Sequence, residues 1–316
     1  MKHYAILLII ALWLPIDSYC QEKPADSSSW GIVSLCCAHM RSEPRHGSEM
    51  VSQAIMGTPV QILSDTSEWS LIVTPEGYRG WMHHLSITPR TNGEMQAWRE
   101  SYRYIFTAMQ GYIYDSCNGD ESRPVSDLVL GCILQSTGKR INGYIEAYTP
   151  DGRIGYVRQS EVSDFYAWAH TAPDVERLQK EAVMMTGSTY LWGGTSVKGV
   201  DCSGLTRMLY FSQGIILQRD ASQQANTGEV LDTVYAPGVY QKGDLLFFGN
   251  SKGRINHVVI YLEDGKYIQC AGRVKTNSLR PADAAFEDKK ILAARRIVTA
   301  TGTPGITRVA EHPWYF

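Results

Sequence analysis

The stretch that decides the fold is Tyr190-Leu191-Trp192-Gly193-Gly194, followed after seven intervening residues by Cys202-Ser203-Gly204. Apolar residues at positions 205, 208, 209 and 211 come next, so we expect a buried helix that begins near Asp201, a capping-type residue. The aligned peptide dipoles lower the pKa of a cysteine in the first turn of a helix, and the unpaired N–H groups there can stabilise an oxyanion. The pattern therefore predicts Cys202 as a nucleophile.

A general base and an orienting residue are predicted on a hairpin further along the chain. His257 begins the apolar segment HVVIYL, and Gln269 lies in the next predicted strand. The two must share a face of the sheet, and side chains alternate between faces along a strand. A three-residue loop, Glu263–Gly265, meets this condition because it sets residue 259 opposite 269. It also gives Gly265 the positive φ that follows a type I turn, and it directs Cys270 into the core.

The region after about residue 165 combines helices with strands. Ala172-Pro173-Asp174 opens an amphipathic helix, Val175–Met185, with proline in the first turn and Gly187 at its end. Strands are predicted at residues 244–248, 257–262, 267–270 and 291–297. Helices followed by antiparallel strands indicate an α+β domain.

The preceding region contains an internal repeat with an offset of about 75 residues. Thr74–Met82 (TPEGYRGWM) matches Thr149–Val157 (TPDGRIGYV). Short strands, such as residues 60–63 and 70–73, are broken by proline and glycine turns, which is typical of a small β-barrel. The repeat therefore predicts two copies of one barrel, linked by a helix over Glu94–Ala108.

The amino terminus predicts export to the periplasm or cell envelope. Lys2 and His3 precede an apolar run from Tyr4 to Ile16, which is shorter than the ~20 residues of a membrane-spanning helix and is followed by polar residues. Residues 1–20 are interpreted as a signal peptide. Two alternatives stay open for Cys20: cleavage after it, or lipidation of its side chain.

The bulk composition excludes several classes of function. The 316 residues include 30 Lys+Arg and 32 Asp+Glu, a net charge of −2, so the basic excess of a nucleic-acid or anionic-membrane binder is absent. Hydrophobic residues make up 44% and charged residues 20%, as in an ordinary soluble globular chain. Seven cysteines form no CxxC pair and there is no HExxH motif, so the sequence predicts no metal site and no cofactor.

The segments YxWGG, DCSG, GDLLFF and HVVIYL, in this order, resemble the NlpC family of cell-wall cysteine peptidases, which are papain-like. The resemblance covers about residues 170–300. It implies that Cys202 is the nucleophile, His257 the base and Gln269 the orienting residue, and that the Tyr190 hydroxyl supports the nucleophile or oxyanion. Many members carry His or Asn where Gln269 stands. A neutral amide can hold the imidazole tautomer but stabilises an imidazolium less than a carboxylate would.

The repeated barrels resemble bacterial Src-homology-3-like (SH3-like) domains, on the basis of Gly80-Trp81-Met82 and Gly155-Tyr156-Val157. Two such barrels before an NlpC-type domain resemble the γ-D-glutamyl-L-diamino acid endopeptidases of peptidoglycan recycling (dipeptidyl-peptidase VI type). This resemblance implies cleavage of L-Ala-γ-D-Glu-diamino acid stem peptides that have a free amino terminus. The substrate-binding residues it implies are Glu49, Tyr78, Asp201, Ser203, Arg219 and Asp220.

The expected fold class is α+β, with a papain-like NlpC-type domain preceded by two small SH3-like barrels. The expected segments are a signal peptide (1–20), a first barrel (29–92), a linker helix (93–108), a second barrel (109–165), a peptidase domain (166–300) and a C-terminal tail (301–316). We expect a monomer whose partner is a stem peptide, with no transmembrane span. Two other functions stay open: an amidase or wall-remodelling hydrolase acting on intact peptidoglycan, and a wall-binding protein without activity.

Overall fold

The computed structural model describes residues 29–119 and 122–316. The predictions of a signal peptide and of lipidation at Cys20 fall on residues 1–28, outside the described residues. Within the described ranges, none of the helices has the length and apolar character needed to cross a membrane.

Residues 30–90 form the first barrel, a seven-stranded antiparallel sheet around a core of Val33, Met40, Val60, Ile72 and Met82. The strands are β1 (Trp30–Val33), β2 (Cys37–Arg41), β3 (Met50–Ile55), β4 (Pro59–Asp65), β5 (Trp69–Val73), β6 (Arg79–His83) and β7 (Ile87–Arg90). Their order in the sheet is β3-β2-β6-β5-β4-β1-β7.

The second barrel repeats this topology strand for strand. Its strands are β8 (Arg103–Phe106), β9 (Gln110–Tyr114), β10 (Pro124–Val129), β11 (Ile133–Ile141), β12 (Tyr144–Tyr148), β13 (Ile154–Arg158) and β14 (Val162–Asp164). The order β10-β9-β13-β12-β11-β8-β14 is that of the first barrel with every number raised by seven. The two repeated TPxG segments form the same turn, since Gly77 N–H donates to Thr74 O and Gly152 N–H donates to Thr149 O. The predicted duplication is confirmed.

The predicted linker helix over 93–108 is wrong in its second half. The helix α1 (Asn92–Glu100) is capped at Thr91 and stops before Ser101. The next residues, 103–106, form β8, which pairs with β11 and β14 and is buried along its whole length. The second barrel therefore begins in the segment assigned to the linker, because Tyr104 and Phe106 belong to its core.

The remaining residues build the α+β domain. Its helices are α2 (Phe165–His170), α3 (Val175–Met184), α4 (Cys202–Ser212) and α5 (Ala221–Gln224). Its strands are β15 (Thr195–Ser196), β16 (Gly199–Val200), β17 (Ile215–Leu217), β18 (Glu229–Val230), β19 (Leu245–Gly249), β20 (Ile255–Tyr261), β21 (Lys266–Ala271), β22 (Arg273–Ser278), β23 (Ala293–Arg296) and β24 (Ile306–Arg308). A six-stranded sheet, β18-β23-β19-β20-β21-β22, packs one face against α4.

Two details of this domain differ from the prediction. Asp174 is the N-cap of α3, accepting from the N–H groups of Glu176 and Arg177, so Pro173 precedes the helix and does not lie in its first turn. The predicted tail, residues 301–316, is part of the fold. It contributes β24, which pairs with β17, and the buried Tyr315.

The predicted register of the hairpin is confirmed. Ile260 pairs with Ile268, which sets residue 259 opposite 269. Gly265 has the expected positive φ of 79°, but Asp264 also has a positive φ of 51°. The turn is therefore of type I′, closed by the bond from Lys266 N–H to Glu263 O, with a bulge in the ladder beside it.

A buried ion pair joins the first barrel to α4. Arg207 Nη2 lies 2.6 Å from Glu76 Oε1, and the carboxylate has no other hydrogen-bond partner among the described residues. The Glu76 side chain is 1% exposed. Because Glu76 belongs to the turn between β5 and β6, this pair attaches that turn to the helix that carries Cys202.

Removing one partner of this pair should destabilise the protein more than removing both. The expected cost of Arg207→Met alone is about 3–5 kcal/mol, since it leaves an unpaired buried carboxylate. The double variant Glu76→Met/Arg207→Met should lie closer to the parent in urea-unfolding midpoint. Glu43→Gln, which removes an exposed carboxylate paired with Arg45, is the matched control. Additive losses in the double variant would contradict this account.

Candidate functional site

Cys202 occupies the first position of α4, as predicted. Asp201 is the N-cap, and its Oδ1 accepts from Gly204 N–H at 2.7 Å. A Cβ at position 204 would lie 1.9 Å from Gly194 O, so the helix approaches the preceding loop at a distance that only glycine allows. The first turn of the helix is thus fixed against the Gly193-Gly194 segment.

Asp201 also forms a buried ion pair with Arg219. The guanidinium donates from Nη2 to Asp201 Oδ2 at 2.6 Å and from Nη1 to Asp201 Oδ1 at 3.2 Å. Nη1 also donates to Ser203 Oγ at 2.9 Å, and Nε donates to Ser52 Oγ in the first barrel at 3.0 Å. Asp201, Ser203 and Arg219 are each at most 5% exposed. The side chains of these three predicted substrate-binding residues are therefore hydrogen-bonded mainly to one another.

The His257 side chain meets Gln269 across the hairpin. His257 Nε2 and Gln269 Oε1 are 2.7 Å apart, and Gln269 is fully buried. A β-bulge lies at the start of β20, where Phe248 pairs with His257 but Gly249 pairs with Ile255. Bulges of this kind redirect neighbouring side chains at the end of a ladder. Cys270 points to the opposite face, into the core beneath α4, as predicted.

The electrostatics of Cys202 and His257 differ from the sequence expectation. Burial and the Asp201 carboxylate raise the pKa of the Cys202 thiol, while the N–H groups of Val258 and Ser203 act in the opposite direction. Burial lowers the pKa of His257, and the hydrogen bond that His257 donates to Gln269 Oε1 raises it in part. The expected lowering of the thiol pKa by the helix is therefore outweighed. Both shifts favour the uncharged forms of the two side chains, a thiol and a neutral imidazole.

Tyr190 lies beside the nucleophile. Its backbone N–H donates to Gly272 O at 3.1 Å, and Leu191 N–H donates to Val200 O, which fixes this segment against β16. Burial and the neighbouring Cys202 raise the pKa of Tyr190 to about 12. The phenol is therefore protonated at neutral pH and available as a hydrogen-bond donor near the sulfur.

The first barrel supplies part of the lining of the cleft. A cavity of about 670 Å³ is lined by residues of the first barrel, of the Tyr190–Cys202 segment, of Arg219–Ser222 and of the start of β20. Glu49 and Tyr78, the two predicted barrel residues, both line it, as does Asp220. Burial raises the pKa of the Asp220 carboxyl, whereas Arg219 and the hydroxyl of Tyr78 lower it.

The structure explains why Glu49 reaches this cleft. Glu49 directly precedes β3, and β3 is docked on the loop before the nucleophile: Thr195 N–H donates to Gln53 Oε1 at 2.9 Å. Gly193, with φ 77°, approaches Met50 O so closely that a Cβ would lie at 2.4 Å. These contacts hold the barrel strand against the catalytic loop.

Eight of the ten predicted residues line this cavity, and the other two, His257 and Gln269, pair with each other on β20 and β21. The structure adds one residue that sequence reasoning did not assign. Trp192 is 59% exposed at the rim of the cleft, and its Nε1 donates to Glu49 Oε1 at 2.7 Å. Its place in the YxWGG segment marked it, but the sequence does not reveal a partner 143 positions away. Within residues 29–119 and 122–316, no group of His, Cys, Asp and Glu side chains could hold a metal ion.

A cysteine at a helix amino terminus, with a histidine and a polar residue on adjacent antiparallel strands, defines the papain-like class of cysteine hydrolases. Residues 187–296 match the NlpC/P60 family, and residues 38–88 match the bacterial SH3 domain. The chain thus contains an NlpC/P60 cysteine peptidase domain, and SH3-like barrels precede it.

Similar proteins match most of the length of this chain. The chain is 27% identical over 294 residues to a γ-D-glutamyl-L-lysine dipeptidyl-peptidase of Bacillus cereus, covering 89% of this chain and 85% of the relative. It is 29% identical over 315 residues to the protein of the same name in Bacillus subtilis, covering 94% of this chain and 99% of the relative. The crystal structure of a Bacillus cereus NlpC/P60 family protein superimposes with a TM-score of 0.70 at 21% identity, covering 85% of this chain and 99% of that chain.

The protonation state of Cys202 can be measured directly. Because burial and Asp201 raise its pKa above the ordinary 9.0, the thiolate should be absent at pH 7 and form only above pH 9. The readout is the absorbance near 240 nm (the thiolate band) of the parent minus that of Cys202→Ala, which cancels the other cysteines. A thiolate signal already present at pH 6 would show instead a preformed thiolate–imidazolium pair.

Proposed function

We propose that this protein hydrolyses the γ-D-glutamyl-L-diamino acid bond of peptidoglycan stem peptides that have a free amino-terminal L-Ala. The observation that carries the proposal is the composite cleft, in which Glu49 and Tyr78 of the first barrel lie with Asp220 in the same cavity as Cys202. Two carboxylates and a phenol at the end of a peptide-sized cleft suit an ammonium group. The names of the Bacillus relatives support the same reaction.

In this proposal Cys202, His257 and Gln269 form the catalytic triad. Cys202 Sγ attacks the γ-carbonyl carbon while its proton passes to His257, and the resulting oxyanion is stabilised by N–H groups at the start of α4 and by the Tyr190 hydroxyl. His257 then gives the proton to the leaving amine of the diamino acid. Water hydrolyses the thioester, with His257 again acting as base. Gln269 keeps the proton on His257 Nε2, so that Nδ1 is the basic nitrogen.

The proposed selectivity for a free amino terminus depends on the first barrel closing one end of the cleft. The L-Ala ammonium pairs with Glu49 and Asp220, and the Tyr78 hydroxyl adds a neutral contact. An amide link from this nitrogen to muramic acid removes the charge and adds bulk on the side occupied by the barrel. We therefore propose that intact wall is a poor substrate, and that the exported enzyme acts on released peptides in the cell envelope.

The test compares L-Ala-γ-D-Glu-L-Lys with its N-acetyl form and with purified sacculi at equal stem-peptide concentration, with products identified by mass spectrometry. The expected products are L-Ala-D-Glu and lysine, from the free peptide alone. Similar rates on all three substrates would contradict the proposal and indicate a wall-remodelling hydrolase. Release of the stem peptide from muramic acid would identify an amidase. The absence of any product would leave a wall-binding role.

The proposed role of Glu49 has its own test. Glu49→Gln should raise KM for the free peptide by roughly tenfold to a hundredfold, because one charged hydrogen bond to the ammonium, about 1.5–3 kcal/mol, is lost. The value of kcat should change little. Glu68→Gln, an exposed carboxylate on the same barrel but outside the cleft, should behave like the parent. If Glu49→Gln leaves KM unchanged while acetylation still blocks cleavage, the ammonium is bound by other residues.

A further inference from the structure

Behind Gln269 lies an ion cluster that belongs to none of the predicted site residues. Gln269 Nε2 donates to Glu287 Oε2 at 3.1 Å and to Asn277 Oδ1 at 2.8 Å. Glu287 follows β22, in the segment before β23, and its side chain is 19% exposed. Two lysines flank it: Lys289 Nζ lies 2.6 Å from Oε2, and Lys275 Nζ lies 3.2 Å from Oε1.

The hydrogen bonds around Gln269 determine the orientation of its amide. An ionised carboxylate can only accept, so the atom of Gln269 that faces Glu287 must be the donating NH₂ group. Asn277 supports the same orientation, because its Nδ2 donates to Ala285 O at 3.1 Å and its Oδ1 is thereby turned to Gln269. Gln269 Oε1 is then left to face His257 Nε2, as observed at 2.7 Å. This nitrogen must carry a proton, and Nδ1 is the free base.

The charge of Glu287 also acts on the imidazole through space. The charged groups that influence His257 are Glu287, which raises its pKa, and Lys289 and Lys275, which lower it; burial lowers it most. The lysines and Gln269 in turn hold the pKa of Glu287 at about 2 despite its burial, so the carboxylate is ionised throughout the physiological range. Without Glu287, two lysine charges would remain uncompensated near a histidine that must become cationic during catalysis.

We propose that Glu287 is a positioning residue of the active site, which acts through Gln269 to fix the tautomer of His257 and to stabilise the imidazolium formed when Cys202 is deprotonated. The inference rests on the proposed function for its catalytic consequence, but not for its effect on His257. Glu287 supplies the negative charge that a triad ending in a neutral amide lacks. Its carboxylate lies one residue beyond the triad, and the Gln269 amide transmits its effect to His257.

The direct test is NMR titration of His257 in the full chain carrying Cys202→Ala, with ¹⁵N-labelled histidine. Glu287→Gln should lower the pKa of His257 by roughly half to one pH unit, since an opposite charge is removed and two like charges remain. Lys289→Met should raise it. Asp288→Asn removes an exposed carboxylate next to Glu287 in sequence and should leave the pKa unchanged. Glu287→Ala should add signal from the Nδ1–H tautomer, because Asn277 Oδ1 is then the one remaining acceptor that orients the Gln269 amide among the contacts described above.

The catalytic consequence is measured separately, with Cys202 intact. Glu287→Gln should lower kcat with little change in KM, and it should slow carbamidomethylation of Cys202 by iodoacetamide at pH 7, followed by peptide mapping. This second readout needs no substrate, so it distinguishes failure of the inference from failure of the proposed specificity. A His257 pKa and tautomer that are unchanged in folded Glu287→Gln and Lys289→Met variants would overturn the proposal. If Glu287→Gln does not fold, the test rests on Lys289→Met alone, for which the pKa of His257 should rise.

Discussion

Asp201 and Arg219 form a buried ion pair on which the geometry of the cleft depends. The carboxylate accepts from the N–H groups of Gly193 and Gly204 as well as from the guanidinium, and the guanidinium reaches Ser203 and Ser52. A buried ion pair stabilises a fold only when its remaining donors and acceptors are satisfied, and here they are. One set of contacts therefore fixes the catalytic helix, the preceding glycine loop and the first barrel relative to one another.

In the proposed function, substrate recognition and chemistry are supplied by different domains. The α+β domain contributes Cys202, His257 and Gln269, whereas the first barrel contributes Glu49 and Tyr78 to the cavity that Cys202 lines. The pair Glu76–Arg207 ties the turn that carries Tyr78 to α4, and Trp192 holds the carboxylate of Glu49. Asp201 also has an electrostatic effect, since it raises the pKa of the adjacent thiol. The proposed mechanism therefore transfers the thiol proton to His257 during attack.

The parts of the site that the sequence predicts are those with local signals. Cys202 follows a capping residue at the start of an apolar helix. The register of His257 and Gln269 followed from alternation along two strands and from the requirement that both side chains share a face. The turn type was missed because Asp264 adopts a left-handed conformation, which favours type I′ over the expected type I turn. Strand β8 was missed because only Ser101-Tyr102 separates it from α1, with no glycine or proline to mark the change. Glu287 and Trp192 were not assigned because their roles come from tertiary contacts.

The central claim is that the first barrel closes the cleft on a free amino terminus, two residues before the scissile bond. It is tested most directly by a crystal structure of the Cys202→Ala variant with intact L-Ala-γ-D-Glu-L-Lys. The account predicts the L-Ala ammonium between the carboxylates of Glu49 and Asp220, with the γ-carbonyl carbon about 3–3.5 Å from the position that the missing sulfur would occupy. An ammonium directed into solvent, with space for the peptide to continue past the first barrel, would contradict it.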